Sequence, residues 1–282
     1  MTQVYIIEHY AKQTLERFMP ACDALSVEVG GRTIGENLAR AERAGAVLRR
    51  ADGRYALPPT PRDGMGVASD RPFILKLGAF RPPCGFLNGF LFRAAYGEAQ
   101  VPFGCRNCYK VVATPRSFHE MMLVKPMVEA SGHTAKTIVE ALNPLVDRAY
   151  SAVVYIEGLA TARGAWQALR QQIDRHPELG PDVGLFIRRG CQNYERRCGP
   201  SDRYVIEGRL EPVEAALRDH FVPPRPRPPD ARREGATLLR MIAIAAQIGD
   251  TSSRRYGGGR AGFPAFVTYD PADGRPIPPA GT

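Results

Sequence analysis

Ser151-Ala152-Val153-Val154-Tyr155-Ile156, with Gly158 close behind, is a short apolar run. Asp182-Val183-Gly184-Leu185-Phe186-Ile187 is a second. Runs of this length, rich in β-branched and aromatic residues and bounded by turn residues, form strands. Between them, from Thr161 to about His176, Ala165, Leu169 and Ile173 recur at helical spacing. A strand, a helix and a second strand make a crossover, and the two strands it joins run parallel. The expected fold is therefore α/β, with a partly parallel sheet containing a βαβ unit. Ligands of such sheets gather at the carboxyl ends of the strands. That places Glu157-Gly158 and Arg188-Arg189-Gly190-Cys191 on one edge.

The cysteines give this edge a chemical reading. Cys105-Arg106-Asn107-Cys108 is a Cys-x2-Cys pair, and Cys191 and Cys198 follow later, so four of the six cysteines fall in two pairs. A Cys-x2-Cys turn sets two thiolates close together, which suits zinc or an iron–sulfur cluster. The expected metal ligands are Cys105, Cys108, Cys191 and Cys198, holding a [4Fe-4S] cluster, with zinc as the alternative. The six residues between Cys191 and Cys198 fit a cluster better than a zinc knuckle. Arg106 and Lys110 supply positive charge beside the thiolates. Such a centre implies electron transfer, reduction or maturation of another enzyme. The pair Cys105 and Cys108 also admits a redox-active dithiol. Cys22 and Cys84 read as packing residues. His119 and His133 are further candidates as ligands or as acid–base groups, since imidazole titrates near neutrality.

The chain is basic, with a formal charge of +9, and Arg188, Arg189, Arg196, Arg197 and Arg203 crowd around the second cysteine pair. They form a candidate surface for an acidic protein partner or an anionic substrate; nucleic acid is a weaker candidate on charge alone. No run of 18 apolar residues occurs, and the N-terminus lacks the basic flank and apolar stretch of a signal peptide, so a cytoplasmic protein that does not engage membranes is expected. Neither glycine-rich nucleotide-binding pattern is present, and no constellation of nucleophile and base marks the chain as an enzyme.

Towards the N-terminus, Val4 to Phe18 has helical spacing, and Thr33 with Glu36 forms a capping box for a helix burying Ile34, Leu38 and Ala41. After Gly45, Ala46 to Arg50 and Arg54 to Leu57 flank Asp52-Gly53, a hairpin turn pair. Helix, glycine, strand, tight turn and strand in this order resemble the last helix and wing of a winged helix-turn-helix domain, over about the first 60 residues. The resemblance implies a second reading, a nucleic-acid-binding regulator with a structural zinc or redox-sensing cysteine site. Arg40, Arg43 and Arg54 would then face the duplex.

Pro58 to Gly64 reads as a linker, which divides the chain into a winged-helix-like domain (1–60), an α/β metal or cluster domain (61–222) and a proline-rich spacer with a docking helix and flexible tail (223–282). Within the middle part, Pro72 to Leu77 is an expected strand. Gly85 to Phe92 is buried as helix or strand, Ser117 caps a helix, and Thr134 to Leu142 is an expected helix. Glu211 to His220 and Ala231 to Ile248 are expected helices, the second with an apolar face that needs a partner surface.

Overall fold

The structure is a computed structural model that describes residues 23–59, 72–141, 143, 146–190, 192–224, 231–257, 268–269 and 276–277. Cys22, Cys191, the helix expected from Val4 to Phe18, most of the Pro58–Gly64 linker and most of the proline-rich spacer and tail lie outside the described residues.

In the N-terminal part, β1 (Glu28–Val29) and β2 (Arg32–Thr33) pair as a short hairpin that leads into α1 (Ile34–Arg43). The capping box forms: Glu36 N donates to Thr33 Oγ1 at 3.2 Å, and Thr33 N donates to Glu36 Oε2 at 2.9 Å. The hairpin of β3 (Leu48–Arg49) and β4 (Tyr55–Ala56) follows, turning through Gly53 at φ 81°. The third strand of this small sheet, Phe221–Val222, arrives from far along the chain and pairs in parallel with β4. Helix and hairpin are thus present, but no winged-helix topology is established by them. Ile34, Leu38, Val47 and Tyr55 share one apolar core with Phe86, Phe90, Leu91, Tyr194, Leu210 and Leu217.

The larger sheet is built from β5 (Phe73–Lys76), β6 (Cys108–Thr114), β7 (Thr134–Val139), β8 (Tyr150–Glu157) and β9 (Gly184–Arg189). The order is β5-β7-β8-β6-β9, and every neighbouring pair is antiparallel. Helix α2 (Phe118–Ala130) connects β6 to β7, and α3 (Leu159–Arg175) connects β8 to β9. Since β6 lies between β8 and β9 and runs against both, β8 and β9 are parallel to one another, as a crossover requires, without sharing hydrogen bonds. The same holds for β6 and β7 across β8. Two such units interlock as a split βαββαβ arrangement, the ferredoxin-like topology, with β5 added at one edge.

Thr134 to Val139 is strand rather than the expected helix. Thr134, Thr137, Ile138 and Val139 are β-branched, which disfavours a helical turn and suits a pleated surface with neighbours on both sides. Gly85–Ala95 is a π-helix, with Phe86, Phe90 and Phe92 buried.

The chain then forms α4 (Gln192–Cys198), α5 (Leu210–Asp219), β10 (Phe221–Val222), α6 (Ala231–Gln247) and the short pair β11 (Thr268–Tyr269) and β12 (Pro276–Ile277). Helices α2 and α3 cover one face of the large sheet, burying Val111, Ala113, Ala152, Val154 and Ile156 against Val124, Val128, Leu169 and Ile173. The docking expected of α6 occurs on the same side: Met241, Ile242 and Ala245 pack with Ile74, Val139 and Tyr150. Asp250 ties this corner together by accepting from Phe118 N and from Tyr150 Oη, both at 2.6 Å. All three long helices therefore lie on one side of the sheet.

Candidate nucleic-acid interface

Among the described residues the cysteines do not assemble a metal centre. Phe103–Cys105 forms a 3-10 turn organised by the buried carboxylate of Glu214 on α5, which accepts from Phe103 N at 2.5 Å, Gly104 N at 2.9 Å and Tyr96 Oη at 3.0 Å. The turn carries Cys105 into the apolar core, 7% exposed, with its Sγ 3.1 Å from Tyr194 Oη. Cys108 instead opens β6, paired in register with Glu157, and Cys198 packs against the first core with Glu98 O 3.9 Å from its Sγ. Among the described residues no group of three or more His, Cys, Asp or Glu side chains is placed to hold a metal ion. The iron–sulfur cluster, the alternative zinc and the oxidoreductase or maturation role resting on them are overturned, as is the regulator built around such a site. Cys-x2-Cys spacing served equally well for a turn that sends its first cysteine into a core and its second into a sheet.

Burial pushes the Glu214 carboxyl above the usual range, against the hydrogen bonds from Gly104, Phe103 and Tyr96 that favour its ionised form. It is a structural clasp.

The expected edge is real, since Gly158 N donates to Asn107 O and Gly190 N to Cys108 O. Its arginines are dispersed, however. Arg189 Nε reaches Arg106 O at 3.1 Å, Arg197 is paired with Glu98 at 2.6 Å, and Arg196 and Arg203 are exposed. Only Arg188 joins the face of the sheet opposite the helices. Of the residues expected to meet a duplex, Arg40 and Arg43 are exposed on α1, whereas Arg54 grips Asp52 through Nε and Nη2 at 3.0 and 2.7 Å.

That open face is where chemistry converges. Side chains of paired residues in a sheet share a face and alternate along each strand. Because Val111, Ala113, Val154 and Ile156 point to the helices, Lys110, Val112, Val153 and Tyr155 point the other way. The register extends these rows. Arg188, Lys110, Tyr155 and Thr134 form one, and Phe186, Val112, Val153, Lys136 and Leu75 the next. Phe73 lies two residues beyond Leu75 on the same face. Phe73 and Leu75 on β5 and Phe186 on β9 are 42%, 43% and 38% exposed at the two edges of this face, while Val112, Ile138 and Ser151 between them are buried.

Each aromatic ring on this face has its own cation. Lys136 Nζ lies 4.4 Å from the Phe73 ring centre, Lys110 Nζ 5.6 Å from that of Tyr155, and the Arg148 guanidinium 5.6 Å from that of Phe186. Arg148 is held there by donating from Nε to Ser151 Oγ at 2.9 Å, and Lys110 by donating to Gly190 O. From strand spacing and rise, Tyr155 and Phe186 stand about 12 Å apart. Sequence reasoning treated these aromatics as ordinary strand residues. The signal available was the placement of ring and cation two residues apart in Phe186-Ile187-Arg188, visible only once the face is known.

The two histidines do other work. His119 Nδ1 lies 2.7 Å from Tyr256 Oη, and its Nε2 is 3.0 Å from Glu178 and 2.7 Å from Arg255, tying α2 to the loop after α3. The hydrogen bond from His119, then that from Arg255, lowers the pKa of Glu178. His133 lines an apolar groove of about 410 Å³ between α2 and α3.

No protein-family model, curated protein or solved structure matches this chain. Among the described residues no helix is long and apolar enough to cross a membrane.

Proposed function

We propose that the protein binds single-stranded nucleic acid on the open face of its large sheet. The observation that carries this reading is the set of three rings, Phe73, Tyr155 and Phe186, each with a cation beside it. Unpaired bases stack on exposed aromatic rings and on guanidinium planes, while neighbouring lysines and arginines meet the phosphates. A duplex offers the phosphates but no free base faces, because its bases are already stacked. The net charge of +9 favours a polyanion, and the three rings lie on the sheet face opposite the helices, although topology alone assigns no activity. A separation of about 12 Å between Tyr155 and Phe186 exceeds the ~3.4 Å step of stacked bases, so the rings engage non-adjacent, splayed nucleotides.

The test is titration of labelled single-stranded and duplex oligonucleotides, with anisotropy as the readout. The reading expects single strands to bind more tightly, with affinity falling as salt rises. Equal affinity for both forms, unchanged by Tyr155→Ala, contradicts it.

A further inference from the structure

We infer that Arg188 is the phosphate-gripping residue of this face and that Glu195 occupies its guanidinium until a phosphodiester displaces it. This rests on the single-strand reading above. Arg188 shares its row with Lys110 and Tyr155, Lys110 lying between the two, and it follows Phe186 by two residues along β9 on the same face, so it stands beside a ring on which a base would stack. Its Nη2 donates to Glu195 Oε2 at 2.6 Å, while among the described residues its buried Nε has no hydrogen-bond partner. A guanidinium edge is built to give two parallel hydrogen bonds to two oxygens, and an unsatisfied buried N–H carries a cost that calls for explanation. Here the carboxylate satisfies half of that edge. A phosphodiester presents two non-bridging oxygens and completes the Nε and Nη2 pair.

Glu195 is suited to leave, since its side chain is 38% exposed on the short helix α4, against 17% for Arg188. The exchange swaps one anion for another around the same cation, so no charge is left buried and unpaired. Lys110, anchored on Gly190 O, adds a second positive charge in the same row. The ligand chemistry is a phosphodiester next to an unpaired base, not a free terminal phosphate.

The experiment measures affinity for a short single-stranded oligonucleotide across a salt series, with inorganic phosphate as competitor. The variants are Arg188→Gln, Arg188→Lys, Glu195→Gln and the Arg188→Gln/Glu195→Gln pair. Arg188→Gln is expected to weaken binding several-fold and to flatten the log–log salt slope by about 0.7, one phosphate contact on a single strand. Arg188→Lys keeps the slope yet stays several-fold weaker, because lysine has no fork. Glu195→Gln binds more tightly than wild type, and this gain vanishes in the double variant. Full affinity in Arg188→Lys, a gain that persists without Arg188, or displacement by inorganic phosphate as effective as by oligonucleotide each overturns the inference. Absence of single-strand binding by the wild type overturns the platform reading itself, which separates the two failures.

Discussion

Lys136 holds its ammonium 4.4 Å from the centre of the Phe73 ring, a diagonal contact across the β5–β7 ladder at the edge of the open face. The same association of ring and cation recurs at Tyr155 and Phe186, on strands up to four positions away in the sheet. A residue pattern shared by three separate strands converges only through the fold.

Removing a ring should act on affinity and not on folding. Phe186 is 38% exposed, so Phe186→Ala opens no cavity in the core. Stacking of a base on a ring is worth about 1–3 kcal/mol, so the variant is expected to bind single strands about 5- to 150-fold more weakly, since each 1.4 kcal/mol is tenfold. Circular dichroism and oligonucleotide titration on the same sample check this. Undiminished affinity in a folded Phe186→Ala protein removes that ring from the interface.

Glu214 predicts the opposite pattern. Its carboxylate satisfies Phe103 N, Gly104 N and Tyr96 Oη in the interior. Glu214→Ala strands these donors and is expected to lower unfolding stability by roughly 3 kcal/mol, while the folded fraction keeps its oligonucleotide affinity. Burial raises the folded pKa of Glu214 above the unfolded one, so its contribution is full in acid and is lost as pH rises through the raised value. The stability advantage of wild type over Glu214→Gln should therefore shrink with increasing pH in denaturant titrations.

Asp250 has the reverse sign. Burial pushes its pKa up, but hydrogen bonds from Ser252, Tyr150 and Phe118 outweigh that and leave it lowered. A depressed folded pKa contributes stability above the ordinary carboxylate range and loses it as pH falls through the folded value. Thermal unfolding of wild type and Asp250→Asn should thus differ at neutral pH and converge in acid. A difference that widens in acid contradicts the assignment of Asp250 as an ionised clasp between α2, Tyr150 and the turn after α6.

Chelators provide a further check. Cys105 lies in the core against Tyr194, and among the described residues no group of side chains is placed to hold a metal ion. The melting temperature is expected to be the same with and without a strong chelator, and a drop of several degrees would restore a metal centre.

Much of the architecture was legible locally. The runs 151–156 and 182–187 and the helix between them announced a crossover, and Thr33 with Glu36 announced a helix start, because each signal lies within one stretch of chain. What local patterns did not reveal was β6 inserted between β8 and β9, with paired residues 39 (Ala113 and Ala152) to 80 (Tyr109 and Arg189) positions apart. Thr134 to Val139 was misread for a related reason, since its β-branched residues needed strands on both sides before their preference decided the outcome. The site was hidden more deeply. Cys-x2-Cys is conspicuous in sequence, whereas Phe73, Lys110, Lys136, Arg148, Tyr155 and Phe186 share no motif and meet only by register.

The most direct test of the central claim is the affinity ratio between a single-stranded oligonucleotide and its duplex, measured by anisotropy at low salt for wild type and for Tyr155→Ala. The account predicts a ratio favouring the single strand that collapses towards unity when the ring is removed. A ratio near unity in the wild type, or one that survives loss of Tyr155 unchanged, would contradict it.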